Sequence, residues 1–280
     1  MAIEIDSLNF RYPGAPADAL RDIRLKVAPG ELVGLVGTNQ AGKTTLCYAL
    51  AGIVPLYYRG RFSGSVRING VETHRQSISQ LACEVGLVMQ HPIRQLSGMR
   101  FTVFEETAFG LENLGLPREL IESRVNEALA MVGLIEFATR SPFHLSGGQQ
   151  QRLIIASVIA AATGIMVLDE PTTFLDPQGT QQVFDILTRL KNSGTTIIVA
   201  EQNLEWLANH ADRVVILRDG RIILDGPPAE ILSSSMFLES GLAWLRYTQA
   251  AREGCRYRLW PSNSPLPVTL DEAVDGFSGH

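Results

Sequence analysis

Cysteine is scarce in this chain. The 280 residues hold three, Cys47, Cys83 and Cys255, odd in number, far apart and never arranged as C-x-x-C. That argues against a disulfide framework and a zinc site and suits a reducing cytoplasm. Long apolar runs are also missing. The longest, residues 153–168, is broken by Ser157, Thr163 and Gly164 and stays below the about 18 residues that a membrane span needs, so the chain is not expected to cross a bilayer by itself. The first six residues lack the basic and apolar regions of a secretory signal, and no export is expected. Positive charge is not in excess: 24 Lys plus Arg against 29 Asp plus Glu give a formal charge of -5, a balance that does not favour DNA, RNA or an acidic bilayer. No nucleic-acid partner is expected. Neither an internal repeat nor a low-complexity segment occurs.

What is present is enough apolar material for a full core. With 45% hydrophobic residues over 280 positions, one or two domains are expected. Residues 3–12 and 23–27 alternate apolar and polar side chains, as half-buried strands do, and Pro29-Gly30 turns the chain. Residues 32–36 are a short continuous apolar run, the mark of a strand buried on both faces, and a Gly-rich loop leads from it into a helical pattern over 43–53. Further apolar strands read at 85–89, 165–168 and 196–200, and a hairpin at 214–224 turns at Asp219-Gly220. Helical patterns lie between them, so the core is expected to be α/β with a parallel sheet. From 95 to 145 the spacing is helical, with Leu120, Ile121, Val125, Leu129 and Val132 three or four apart. This reads as an inserted helical subdomain. After Pro227-Pro228 a helix at 229–232 and a Ser-rich break lead into a tail, residues 233–280, expected as an appendage.

Gly37-Thr38-Asn39-Gln40-Ala41-Gly42-Lys43-Thr44 matches G-x-x-x-x-G-K-[ST] between the expected strand and helix. Glycines let successive N–H groups point inward, and the helix N-terminus adds about half a positive charge. Lys43 can reach the β- and γ-phosphates of a nucleoside triphosphate, the Thr44 hydroxyl can hold Mg²⁺, and Thr45 follows on the same helix. Cys47, also on that helix, reads as a small core residue. The run 165–168 passes into Asp169-Glu170-Pro171, placing two carboxylates at the C-terminal edge of a buried strand, where α/β sheets bind ligands. Solvated turn acids are the plain alternative. Beside the cradle, Asp169 suits Mg²⁺ and Glu170, pointing elsewhere, suits the polarisation of an attacking water.

Leu145-Ser146-Gly147-Gly148-Gln149 stands just before a long apolar helix. On this signature the chain resembles the ATP-binding cassette (ABC) ATPases over about residues 1 to 230. The resemblance implies a P-loop NTPase core with an N-terminal antiparallel β part, the helical subdomain at about 95–145, a cassette domain over 1–232 and a small C-terminal extension. It also implies a head-to-tail dimer in which ATP lies between the cradle of one subunit and Ser146, Gly147, Gly148 and Gln149 of the other. Tyr12 matches the aromatic that stacks on adenine. Gln90 resembles the Q-loop glutamine that senses Mg²⁺ and the attacking water, and Asp176 the D-loop aspartate that couples the two sites. One position departs from the pattern: the switch histidine falls on Gln202, which keeps an N–H₂ donor for the γ-phosphate but cannot become cationic near neutral pH. His210 is out of register and reads as a surface histidine, and Glu201 as a strand-end acid.

The segment Gln90-His91-Pro92 through Gln95 is similar to the Q-loop of energy-coupling factor (ECF) importer ATPases, and the tail resembles their C-terminal extension, which helps hold two ATPases together. This resemblance implies an ATP hydrolase coupled to uptake of a vitamin or metal ion, peripheral on the cytoplasmic face of the cell membrane. Its implied partners are a second ATPase subunit, identical or related, a transmembrane coupling protein that docks near residues 90–95, and a substrate-binding membrane protein. A conventional amino-acid or peptide importer and a soluble ABC protein acting on ribosomes or DNA are the two rival classes.

Overall fold

The computed structural model describes residues 1–261 and 265–278; residues 262–264 and 279–280 of the expected extension lie outside them. Among the described residues ten strands form two sheets. In chain order they are β1 (Ile3–Arg11), β2 (Leu20–Val27), β3 (Leu32–Val36), β4 (Arg61–Ile68), β5 (Val71–Glu72), β6 (Val85–Val88), β7 (Ile165–Asp169), β8 (Thr196–Ala200), β9 (Arg213–Arg218) and β10 (Arg221–Gly226). The first sheet is antiparallel in the order β2-β1-β4-β5. The second runs β10-β9-β3-β8-β7-β6, parallel from β9 to β6, with β10 antiparallel at the edge. The fold is the α/β architecture expected.

The continuous apolar strands exist because both faces of the parallel sheet are covered. Leu32 and Val36 of β3 join one core cluster with Leu153, Leu187 and Leu207 of the helices, whereas Val33 and Leu35 join the other with Leu46, Leu50, Ile3 and Phe10. β7 divides in the same way, Met166 and Leu168 to one side and Ile165 and Val167 to the other. Truncating such a buried leucine to alanine costs about 2–5 kcal/mol. This rigid centre carries β3 and β7 side by side with β8, and so sets the loops at their C-terminal ends next to one another.

No strand occurs among the described residues between β6 and β7. Helices Val103–Asn113, Arg118–Met131 and Gly147–Ala161 pack together there. Ile121, Val125, Leu129 and Val132 are buried as their spacing requires, while Leu120 is 38% exposed at the rim. The hairpin turns at Asp219-Gly220, both at positive φ, 50° and 76°, as a tight two-residue connection demands.

Three features differ from the reading above. β4 and β5 were not expected, and β2 begins earlier, at Leu20. The tail is packed onto the core: helices Ser235–Glu239, Arg246–Arg256 and Leu270–Ser278 follow Pro228–Ser233, and Phe237, Leu245, Tyr247 and Val268 belong to the same cluster as the sheet. Cys47 is fully buried, with its thiol pushed well up by desolvation, as suits a small core residue; Cys83 and Cys255 are also free. No helix among the described residues is long and apolar enough to cross a membrane.

Candidate functional site

The chain leaves β3 at Val36 and curls before helix Lys43–Leu50 begins. Side chains are excluded from the curl. A Cβ on Gly37 would stand 2.4 Å from the Leu217 carbonyl oxygen, and one on Gly42, at φ +107°, 2.7 Å from the Ala19 carbonyl oxygen. Gln40 also takes a positive φ, 67°. The backbone thereby wraps Lys43, which is only 5% exposed. Its Nζ donates to the carbonyls of Gly37 at 2.9 Å and Thr38 at 3.3 Å, and lies 3.3 Å from Glu170 Oε1. A cleft of about 470 Å³ opens here, lined by Asn39, Gln40, Ala41, Gly42, Lys43, Thr44, Thr45, Gln90 and Glu170.

β7 delivers the two acids. Asp169 ends the strand, and Glu170 follows at φ +48°, a left-handed conformation unfavourable for a residue with a Cβ. The Glu170 N–H donates to the Ala200 carbonyl at 2.9 Å, which fixes that turn against β8. Glu170 then collects four side chains. Lys43 and the Gln202 amide, at 3.3 Å, meet Oε1; the Gln90 amide at 2.9 Å and the Thr173 hydroxyl at 3.1 Å meet Oε2. Lys43, Gln90, Glu170 and Gln202, distant in sequence, are thus brought together.

Asp169 is 2% exposed, and its Oδ1 has no hydrogen-bond partner. Burial pushes its carboxyl up, and the Thr44 hydroxyl partly counters this. An orphaned buried carboxylate oxygen beside a hydroxyl, with the Gln90 carboxamide across the cleft, is an oxygen donor set suited to a hard divalent cation such as Mg²⁺. Tyr12 borders the cleft rather than lining it. It is half-buried between Phe10 and Tyr58, and its hydroxyl is 3.3 Å from Thr45 Oγ1.

The signature builds a second cleft, about 440 Å³, that shares no lining residue with the first. Ser146 caps helix Gly147–Ala161: its Oγ accepts from the Gln149 N–H at 3.3 Å, and its own N–H donates to Gln149 Oε1 at 2.9 Å. The Gln149 side chain is therefore engaged in the cap. A Cβ on Gly147 would meet nothing within 4 Å, so the first turn is open to an approaching group. Asp176 caps helix Pro177–Asn192, accepting from the Gly179 N–H at 2.6 Å, and lines this same cleft with Ser146, Gly147, Gly148 and Gln149.

Two residues carry more than their sequence context suggests. Glu201 is 3% exposed and accepts from the Thr172 hydroxyl at 2.7 Å and from the N–H groups of Gln202 and Asn203 at 2.7 and 3.2 Å. Burial pushes its carboxyl up, against those bonds. A buried acid directly preceding Gln202 at a strand end was the available signal. Gln95 reaches back to β6 with both ends of its carboxamide. His210, expected at the surface, is half-buried and stacked on Trp206 with ring centroids 5.2 Å apart, and it lines neither cleft.

Comparisons with known proteins identify relatives of the chain. A family described as ABC transporter matches residues 20–173. A putative ABC transporter ATP-binding protein of Pyrococcus abyssi is 42% identical over 85% of this chain and 84% of its own length. The energy-coupling factor transporter ATP-binding protein of Methanothermobacter thermautotrophicus is 38% identical over 96% of this chain and 84% of its own. Among solved structures, cbiO1 of Clostridium perfringens, described as part of the ABC transporter complex cbiONQ, superimposes with a TM-score of 0.74 at 28% identity over 92% of this chain and 98% of that one. A dimeric ATP-binding cassette bound to ADP and Pi superimposes with a TM-score of 0.70 at 25% identity, covering 81% of this chain and 98% of that one.

Proposed function

The chain belongs to the ABC transporter family as an ATP-hydrolysing cassette, and from that premise we propose that it is the ATPase subunit of an ECF-type importer. It closes with a second cassette around Mg-ATP and passes the motion to membrane partners. The observation that carries the hydrolytic role is the Glu170 carboxylate, held at the mouth of the Lys43 cradle by Gln90 and Gln202. Lys43 and the loop N–H groups of residues 37–44 bind the triphosphate, and Tyr12 meets the adenine. Glu170 orients and polarises the water, and Gln202 donates its amide to the γ-phosphate, a weaker contact than a cationic histidine would give. Thr44, Asp169 and Gln90 would hold Mg²⁺, which would supply positive charge against the triphosphate.

Ser146, Gly147, Gly148 and Gln149 of one subunit cover the nucleotide held by the other, with Asp176 beside them at the junction. That a cassette bound to ADP and Pi is dimeric supports closure of two cassettes around nucleotide. The ECF reading is supported by the named relative, by cbiO1 and by the segment from Gln90 to Gln95. Ile93 within that segment and Met99 and Phe101 just after it stand exposed, Phe101 by 84%, as a landing for the transmembrane coupling protein on the cytoplasmic face of the cell membrane. A separate membrane protein binds the cargo, a vitamin or a metal ion.

The test is Glu170→Gln. Removing the base leaves ATP binding intact and lowers turnover by about 10² to 10⁴, and the variant sediments as a dimer in Mg-ATP. Turnover at the parent rate removes Glu170 from its role. Monomer alone, at saturating Mg-ATP with the cognate membrane partner present, removes the dimer.

A further inference from the structure

We propose that Gln95 is a positioning residue for ATP hydrolysis: its carboxamide fastens the loop after β6 to the sheet edge and thereby holds Gln90 against Glu170. This rests on the role given to Gln90 above. β6 is the last strand of the parallel sheet, so one side of it has no strand neighbour among the described residues. Gln95 Nε2 donates to the Leu87 carbonyl of β6 at 2.6 Å, and Gln95 Oε1 accepts at 2.9 Å from the N–H of Met89, the first residue past that strand. Those two groups flank Val88 as the bonds of one residue on a parallel neighbouring strand would. The side chain is thus a one-residue substitute for a missing strand.

Its place matters because the next residue after Met89 is Gln90, whose amide meets Glu170 Oε2 at 2.9 Å. Pinning the chain on both sides of Val88 fixes the direction in which Gln90 leaves the sheet. A second fastening lies on the far side: the His91 ring stacks on Phe174, centroids 4.9 Å apart, beside Thr173, which also donates to Glu170. Between Gln90 and Gln95 the turn Pro92–Arg94 carries exposed Ile93. A displacement imposed on that turn reaches Gln90 through the bidentate contact of Gln95.

The experiment is a double-mutant cycle on the Mg-ATPase of the full chain, with Gln90→Ala, Gln95→Leu and the pair combined. Gln95→Leu removes both bonds and is expected to lower kcat about ten- to a hundredfold with KM for ATP unchanged. Gln95→Glu keeps the acceptor for Met89 but replaces the donor to Leu87 by a carboxylate oxygen that repels the Leu87 carbonyl; it is expected to reproduce the defect and covers the case in which the leucine variant fails to fold. If Gln95 acts through Gln90, the double variant is no slower than Gln90→Ala. Parent-like kcat in both Gln95 variants overturns the proposal, and so do losses that multiply in the double variant, which is what a general loss of structure produces. Parent-like turnover of Gln90→Ala itself overturns the reading of Gln90 and, with it, this one.

Discussion

Glu170 and Glu201 occupy equivalent places, each the first residue past a central strand, yet their surroundings separate them. Glu170 faces the Lys43 ammonium, whereas Glu201 is met by a hydroxyl and two backbone N–H groups, with the Glu170 charge nearby. Desolvation therefore dominates at Glu201 and raises its carboxyl above the ordinary range near 4.5. A group that binds its proton more tightly folded than unfolded lowers stability as pH rises: below the ordinary carboxylate range both states are protonated, and above it only the folded state retains the proton until its own raised value is passed. Glu201→Gln lacks this dependence. Its melting temperature minus that of the parent is expected to become more positive as pH is raised from 4.5 through the raised value, whatever constant offset the lost bonds add. Thermal melts across that range check it, and a difference flat with pH contradicts the assignment. Glu170 ends Leu-Asp-Glu and Glu201 ends Val-Ala-Glu, so strand position alone marks both as strand-end acids, and it was the adjacent Asp169 and the resemblance, not the strand pattern, that singled out Glu170.

The cradle was legible because its chemistry is local. A loop that must bend its backbone inward and seat a buried ammonium needs glycines and a lysine within a few residues, and the sequence shows them together. Gly37→Ala sets a Cβ 2.4 Å from a backbone carbonyl that has no rotamer to escape into. It is expected to cost about 1–3 kcal/mol in stability and to abolish nucleotide binding, read by chemical denaturation and by ATP titration. Gly147→Ala places its Cβ with nothing within 4 Å outside its own helix turn, so it is expected to keep stability and single-chain ATP binding and to weaken only closure of the dimer. Equal damage in the two variants removes the distinction. β4 was less legible, because its alternation of Phe62, Val66 and Ile68 is interrupted by Gly64. At φ +84° that glycine faces the Ser7 carbonyl at the register shift between β1 and β4. The helix Arg246–Arg256 escaped for another reason: its buried residues are Tyr247, Thr248, Ala251 and Gly254, a stripe with little apolar bulk, and Gly254 is covered by Trp260 and Phe277 further along the tail.

At the scale of the molecule the decisive fact is that two phosphate-type clefts share no residue. Lys43, Gln90 and Glu170 line one; Ser146 and Asp176 line the other. In the dimer proposed above, a two-fold pair presents each signature to the other's cradle. Mixing makes this measurable. In a Lys43→Ala homodimer both cradles are lost, and in a Ser146→Arg homodimer both signatures are blocked, so each preparation is expected to be inactive. When the two are mixed, one site of the mixed dimer combines the damaged cradle with the blocked signature, and the other combines an intact cradle with an intact signature. Random pairing makes half the dimers mixed, each with one of its two sites whole, so hydrolysis is expected to return to about a quarter of the parent rate per subunit. Activity that stays at zero on mixing means that the two clefts never complete one another. Activity in Ser146→Arg alone means that a single chain hydrolyses ATP with the cradle residues it already holds.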